Sequence, residues 1–144
     1  MWPIQILLVE DSPDDILLTR EALKDAKIAN ELHAVMDGEA AMDFLRGVGE
    51  YRDRPLPDVV ILDLNLPKMD GREVLREIKQ DDDLRRIPVI VLSTSAAEDD
   101  IRGAYDQHVN AYVQKPVDFD EFIRAVRSIE EFWLSIVRLS NRAG

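Results

Sequence analysis

Five side chains that could do chemistry follow short apolar runs in this chain: Glu10, Asp11, Asp63, Ser93 and Lys115. The runs are Ile4–Val9, Val59–Leu62, Pro88–Leu92 and Ala111–Val113. Runs rich in Val, Ile and Leu are typical of strands buried in a parallel sheet. Because open α/β sheets bind ligands at the carboxyl ends of their strands, we expect these side chains to meet in one acidic pocket. Such a pocket suits one cation and one phosphoryl group.

The acidic members of this set indicate a site for a hard metal ion. Glu10, Asp11 and Asp63 would repel one another unless they were protonated or bound to a cation. The chain has no cysteine, and a site made only of oxygen atoms favours Mg²⁺ or Mn²⁺. A plainer interpretation of Glu10 and Asp11 is a polar turn followed by a helix cap. The matching positions of Asp63 and Lys115 favour the metal site.

Asp63 is the candidate nucleophile, because a carboxylate can accept a phosphoryl group and become an acyl phosphate. Lys115 would contact one phosphoryl oxygen, and Ser93 would donate a hydrogen bond to another. The residue types therefore predict metal-assisted phosphoryl transfer to the protein itself.

The elements that must place these residues alternate between strand and helix five times along the chain. This pattern predicts an α/β fold with a doubly wound parallel sheet and helices on both faces. The flavodoxin-like strand order 2-1-3-4-5 would make the first, third and fourth strands neighbours. The predicted strands are Ile4–Val9, Glu31–Met36, Val59–Leu62, Val89–Leu92 and Ala111–Val113. The predicted helices follow Ser12 as far as Lys24, span Glu39–Arg46, Arg72–Gln80 and about Glu98–Tyr105, and follow Asp118.

The charge of the chain argues against several kinds of partner. Its formal net charge is −11 over 144 residues, and such a chain repels nucleic-acid phosphates and anionic lipid. No apolar run is long enough to cross a bilayer, and the first residues do not resemble a signal peptide. We therefore expect a cytoplasmic protein that binds neither nucleic acid nor membrane.

The same residues carry a family resemblance, since the chain resembles a response-regulator receiver domain of two-component signalling. The matching motifs are Leu8–Asp11, Ile61–Gly71, Val91–Ser93 and Lys115-Pro116. The resemblance implies that a sensor histidine kinase phosphorylates Asp63. It also implies that Asp11 and Asp63 bind Mg²⁺ directly and that Glu10 binds it through water. The backbone carbonyl of Asn65 would be a further ligand.

The resemblance also assigns residues that transmit or end the signal. Ser93 matches the switch hydroxyl of the family. Tyr112 matches the switch aromatic, whose ring moves inward when Ser93 engages the phosphate; a packed aromatic without a switching role is the alternative. Asn65 and Ser95 lie where side chains tune hydrolysis of the acyl phosphate. Lys115-Pro116 resembles a cis-proline junction that aims the lysine.

Within the family, the chain resembles the small stand-alone regulators paired with bacterial phytochromes. The features that indicate this are Asp63–Leu75, the long loop Gly47–Pro57 and Leu92–Ser95. The kinase partner is then expected to be a bacterial phytochrome or another histidine kinase.

Residues 1–144 are expected to form one receiver domain, with a last helix from about residue 118 to 139 and no effector domain. Output would then pass through contact with another protein, or the phosphoryl group would be relayed onward. The end of the last helix is apolar on more than one side. We expect Phe132, Trp133, Ile136 and Val137 to help form a homodimer through the fourth helix, fifth strand and fifth helix. A helix that folds back as extra core is the alternative.

Two other functions suit the predicted fold but fit these residues less well. A haloacid-dehalogenase-like hydrolase has a second Asp two places after the nucleophile as general acid, and this chain has Asn65 there. A nucleotide-binding module would have a Gly-rich loop after its first strand, where this chain has Glu10–Pro13. We therefore expect a phosphoacceptor with self-catalysed phosphotransfer and autodephosphorylation, and not an enzyme acting on small substrates.

Overall fold

Five parallel strands form one sheet in the order β2-β1-β3-β4-β5. The strands are β1 (Ile4–Val9), β2 (Asn30–Val35), β3 (Val59–Leu62), β4 (Val89–Ser93) and β5 (Ala111–Gln114). The structure is a computed structural model that describes residues 3–24 and 29–131. The fold class and strand order predicted from the sequence are confirmed.

The helices follow the strands in alternation. They are α1 (Pro13–Lys24), α2 (Gly38–Arg46), α3 (Gly71–Gln80), α4 (Glu98–Asp106) and α5 (Phe119–Ile129), with a 3₁₀ helix at Gly49–Tyr51 in the long loop. The side chains of Asp37, Asp70 and Asp118 cap α2, α3 and α5 by accepting backbone N–H bonds. Several predicted ends move by one residue; β2, for example, begins at Asn30 instead of Glu31.

The two faces of the sheet bury separate apolar layers, because successive strand residues point to opposite sides. Leu7 and Val9 face one layer, which α2, α3 and α4 cover. Ile6 and Leu8 face the other layer, which α1 and α5 cover. The carboxyl edge of the sheet lies between these two layers and can receive polar side chains from several strands at once.

A close backbone contact fixes the loop that follows β3. The N–H of Gly71 donates a hydrogen bond to the carbonyl of Leu64 at 2.9 Å. A Cβ at position 71 would lie 2.2 Å from the backbone oxygen of Asp63, which is far inside van der Waals contact. The glycine therefore lets α3 begin directly against Asp63 and holds that residue in place.

Some of the sequence predictions concern residues near the end of the chain that the structure does not describe. The predicted interface residues Phe132, Trp133, Ile136 and Val137, and the extension of the last helix to residue 139, lie outside the described residues. Within residues 3–24 and 29–131, no helix has the length and apolar character that crossing a membrane requires.

Candidate functional site

Four buried polar side chains lie close together at the carboxyl edge of the sheet. Glu10 follows β1, Asp63 follows β3, Ser93 ends β4 and Lys115 follows β5. Their relative exposures are 2%, 7%, 0% and 7%. Because buried polar groups cost free energy unless they find partners, this burial requires close pairing at the site.

The ammonium group of Lys115 provides that pairing. Its Nζ lies 2.5 Å from Glu10 Oε1, 2.8 Å from Asp15 Oδ2 and 3.3 Å from Asp63 Oδ2. Burial lowers the pKa of Lys115, but the hydrogen bonds to Asp15 and Glu10 outweigh it and hold the pKa above its usual value. The lysine is therefore a fixed positive charge among three carboxylates.

The environment of the pocket changes the acidity of Glu10. Burial raises the pKa of Glu10 to about 7, against the hydrogen bond and the positive charge of Lys115, which lower it. Its Oε2 also accepts the backbone N–H of Ser12 at 3.2 Å. Glu10 is thus a buried acid that exchanges its proton near neutral pH, and a nearby cation would favour its charged form.

Three carboxylates have the arrangement of a metal site. Ligand oxygens of Glu10, Asp11 and Asp63 all lie within 4.8 Å of one another. Asp11 is exposed, whereas the other two are buried, so the cluster opens to solvent on one side. Oxygen donors without nitrogen or sulfur suit a hard divalent cation, and few protein ligands leave positions for water. The residues present therefore fit the divalent cation predicted from the sequence.

Asn65 approaches this cluster through its backbone. The backbone N–H of Asn65 donates to Asp63 Oδ1 at 3.1 Å, and Asn65 itself is an exposed residue. The bond orients the Asp63 carboxylate and leaves Oδ2 facing Lys115.

The ends of β4 and β5 hold the predicted switch residues. Ser93 is fully buried, whereas the next residue, Thr94, is exposed. The N–H of Lys115 donates to the carbonyl of Ser93 at 2.6 Å. The Ser93 hydroxyl oxygen accepts the N–H of Ser95 at 3.3 Å. The Ser93 hydroxyl therefore lies at the same edge of the sheet as Lys115.

Tyr112 points its hydroxyl toward the loop after β4. The hydroxyl donates to the backbone oxygen of Ser95 at 2.8 Å, and the ring packs half-buried against the layer covered by α2, α3 and α4. The two predicted residues Tyr112 and Ser95 therefore meet, although they lie on different segments.

A further ion pair, which the sequence did not predict, joins this loop to α3 and α4. The Ser95 hydroxyl donates to Asp100 Oδ2 at 2.6 Å. Arg72 Nε and Nη2 lie 2.9 Å and 2.8 Å from Asp100 Oδ1. The hydrogen bonds from Ser95 and Arg72 hold the pKa of Asp100 below its usual value. Asp100 thus ties the predicted hydrolysis-tuning residue to the start of α3.

The predicted site residues divide into two groups in the structure. Glu10, Asp11, Asp63 and Lys115 form the acidic pocket, and Ser93, Ser95 and Tyr112 line the adjoining β4–β5 side. Sequence reasoning missed the contacts of Asp15, Arg72 and Asp100. The expected cis peptide bond at Lys115-Pro116 is wrong, since the described residues contain no cis peptide. The trans form is the more stable one, and in it Lys115 already reaches its carboxylates.

Comparison with known families decides what kind of protein carries this site. A family profile described as the response regulator receiver domain matches residues 6–127. The chain belongs to this receiver family. Its acidic pocket, Lys115 and Ser93 thus stand in a receiver fold.

Three comparisons refine this membership. The receiver chain is 53% identical over 137 residues to response regulator Rcp1 of Synechocystis sp., covering 95% of this chain and 93% of Rcp1. It resembles the phosphorylated cyanobacterial phytochrome response regulator RcpA, with a TM-score of 0.90 at 52% identity over 94% of this chain and 96% of that one. It also resembles the Mn²⁺-bound form of Rcp1, with a TM-score of 0.89 at 53% identity over 92% and 95% of the two chains. The predicted resemblance to phytochrome-associated regulators is confirmed.

Proposed function

We propose that this chain is a response regulator in which Asp63 accepts a phosphoryl group from a sensor histidine kinase in a Mg²⁺-dependent reaction. The observation that carries the proposal is the buried Asp63 carboxylate, whose Oδ2 lies 3.3 Å from the Lys115 ammonium beside a carboxylate cluster. A nucleophile, a charge-stabilising cation and a cluster for a metal ion thus occupy one edge of the sheet.

Phosphoryl transfer assigns a role to each group of the pocket. An Asp63 carboxylate oxygen forms the new P–O bond while the P–N bond of the kinase phosphohistidine breaks, and the imidazole nitrogen leaves with the electron pair and takes up a proton. Lys115 stabilises negative charge on a phosphoryl oxygen, and the Ser93 hydroxyl donates to another. Their proximity along the β4–β5 edge supports this division.

The metal ion of the proposal is Mg²⁺, with Mn²⁺ as a substitute. Asp11 and Asp63 would hold it directly with their side chains, Glu10 through water, and Asn65 with its backbone carbonyl. When bound, the ion supplies positive charge that offsets the oxygens of the phosphoryl group. The carboxylate spacing supports this assignment, as does the Mn²⁺-bound form of the similar Rcp1.

The proposed kinase partner is a bacterial phytochrome. This assignment rests on the likeness to RcpA, which is named as a phytochrome response regulator. Incubation with phosphorylated phytochrome kinases and with unrelated histidine kinases would test it, and we expect faster transfer from the phytochromes. Equal transfer from all of them would contradict this partner.

Output is proposed to pass through protein–protein contact, with a homodimer that uses α4, β5 and α5. Exposed apolar residues on this side of the domain support an interface; Tyr105, Val117 and Phe119 are 50%, 103% and 57% exposed. Sedimentation of the phosphorylated and unphosphorylated chain at high concentration tests the dimer. A monomer in both states would exclude it, leaving contact with another protein or a phosphorelay as the output.

The deciding experiment is incubation with acetyl phosphate and Mg²⁺, followed by intact mass measurement. We expect the mass of one phosphoryl group to be gained by the wild type and by the matched variant Asp53→Asn, an exposed residue of the long loop. The gain should vanish in Asp63→Asn. A wild type that gains no mass with Mg²⁺ would overturn the proposal.

The same experiment separates the hydrolase alternative. Asn65 presents an exposed amide side chain and not a general acid. We therefore expect a stoichiometric adduct that decays slowly by autodephosphorylation, with Asn65 and Ser95 tuning its lifetime. Continuous turnover of acetyl phosphate without an adduct would favour a hydrolase.

A further inference from the structure

The three carboxylates around Lys115 are not equivalent. Glu10 and Asp63 belong to the cluster whose ligand atoms lie within 4.8 Å of one another, together with Asp11. Asp15 does not belong to that cluster, yet its Oδ2 lies 2.8 Å from Lys115 Nζ, closer than Asp63 does. Asp15 is therefore an acceptor for the lysine that stands apart from the proposed metal ligands.

The first turn of α1 holds Asp15 in a defined position. Its backbone N–H donates to the hydroxyl oxygen of Ser12 at 3.3 Å. Its backbone carbonyl accepts the hydroxyl of the buried Thr19 at 2.8 Å. The side chain is 26% exposed, so it reaches Lys115 from the rim of the pocket. Local hydrogen bonds to Ser12 and Thr19 thus fix the backbone N–H and carbonyl of Asp15 independently of the contact between its side chain and Lys115.

A divalent cation and Lys115 would share two carboxylates. Glu10 and Asp63 contact Lys115 in this structure and are also members of the carboxylate cluster. When a cation binds these two carboxylates, their attraction for the ammonium weakens, because the cation neutralises part of their negative charge and repels the lysine. A lysine with no other acceptor would then lose its fixed position.

We propose that Asp15 is a positioning residue, which holds the Lys115 ammonium at the edge of the carboxylate cluster while a metal ion and a phosphoryl group occupy the pocket. This inference deepens the proposed function and rests on it for the role of Lys115 at the phosphoryl oxygen. Asp15 acts through Lys115. Because Asp15 keeps the ammonium in place, the metal ion and Lys115 can occupy the pocket at the same time.

Asp14 provides a matched control for this inference. It has the same side chain, lies in the same first turn of α1 and is exposed. Asp14→Asn and Asp15→Asn remove equal charge from the helix N-terminus, so both weaken the helix-dipole interaction to a similar extent. Of these two variants, only Asp15→Asn removes a charged acceptor of Lys115.

The first measurement follows the lysine directly and does not need phosphorylation. In spectra of protein labelled with ¹⁵N-lysine, the Lys115 ammonium signal is assigned by its loss in Lys115→Arg. On addition of Mg²⁺ we expect the signal to persist in the wild type and in Asp14→Asn, and to broaden through faster exchange with water in Asp15→Asn. A signal that persists equally in Asp15→Asn would overturn the inference.

The second measurement is the initial rate of labelling by acetyl phosphate at saturating Mg²⁺. We expect Asp15→Asn to be slower by about tenfold, as for the loss of a charged hydrogen bond, with Asp14→Asn unchanged. Asp15→Glu, which keeps the charge, should recover part of the rate. Equal rates in Asp14→Asn and Asp15→Asn would contradict the inference, whereas a wild type that accepts no phosphoryl group would contradict the proposed function itself.

Discussion

The hydroxyl of Tyr112 donates a 2.8 Å hydrogen bond to the backbone carbonyl of Ser95. This bond joins β5, which Lys115 follows, to the loop after β4, the strand that Ser93 ends. The hydrogen-bonded position of the half-buried Tyr112 ring therefore depends on where the loop lies. Displacement of Ser93 toward a phosphoryl group would move the carbonyl that Tyr112 binds, which gives the predicted switch a physical link.

Tyr112→Phe should separate phosphorylation from the change at the α4–β5 surface. The variant loses one partly buried hydrogen bond, and we expect its free energy of unfolding in urea to fall by about 1 kcal/mol. Labelling by acetyl phosphate should proceed at the wild-type rate, while the phosphorylation-dependent change in hydrogen exchange of residues 94–114 should be lost. Tyr51→Phe, which removes a hydroxyl from the long loop, is the control. If hydrogen exchange in Tyr112→Phe responds to phosphorylation as it does in the wild type, the Tyr112–Ser95 bond does not couple phosphorylation to the α4–β5 surface.

Asp100→Ala should shorten the lifetime of the acyl phosphate. Asp100 holds the Ser95 hydroxyl at 2.6 Å, so its removal frees that hydroxyl to orient an attacking water. We expect hydrolysis to be faster by about fivefold, equivalent to one hydrogen bond of about 1 kcal/mol. Decay of the adduct is followed by intact mass after removal of the phosphoryl donor.

Asp99→Ala is the control for this lifetime measurement, since Asp99 is exposed in the same helical turn. Equal lifetimes of the two variants would argue that the Asp100 bond has no influence on hydrolysis.

The affinity for Mg²⁺ should rise with pH through the neutral range. Burial raises the pKa of Glu10 to about 7, and Glu10, which would hold the ion through water, attracts the ion fully only after it loses its proton. Below this pKa, binding releases a proton, so affinity should increase by up to about tenfold per pH unit and then level off above it. Calorimetric titration at several pH values measures this.

The Glu10→Gln variant isolates the residue responsible for the pH dependence. It should bind Mg²⁺ more weakly and without the rise around pH 7. A variant with the same pH profile as the wild type would assign the titration to another group.

Gly71→Ala should destabilise the chain and disturb Asp63 together. A Cβ there would lie 2.2 Å from the Asp63 backbone oxygen, so either α3 or the strand end must move. We expect a loss of about 1–3 kcal/mol in the free energy of unfolding and slower phosphorylation. Gly103→Ala, in α4, meets no atom within 4 Å and should leave stability unchanged or raise it by up to about 1 kcal/mol. Equal stability of both variants would contradict this explanation.

The sheet and the acidic pocket were predictable because each apolar run ends in a polar residue. Asp63 and Ser93 follow runs that are apolar throughout, as strands covered on both faces must be, and parallel pairing brings their ends together. Strand order then follows from the few topologies that such alternation permits. The sequence pattern therefore contained most of the information about the pocket.

The contacts of Asp15 and Asp100 were not predictable in the same way. Each lies in the first turn of a helix, where an acidic side chain is expected simply because it suits the helix dipole. Whether such a residue also meets Lys115 or Arg72 depends on how the helix packs over the sheet. That packing is set by many small apolar contacts, which cannot be recognised from a short sequence motif.

The position of the pocket across the sheet has a mechanical consequence. Glu10 and Asp63 follow β1 and β3, which are inner strands and almost wholly buried, whereas Tyr112 lies in the half-buried edge strand β5 and Lys115 follows that strand. Because a buried inner strand has more packing partners than a half-buried edge strand, we expect the β1–β3 side of the pocket to resist displacement more than the β5 side. A displacement that starts at Asp63 is then expected to be largest at the surface beside β5.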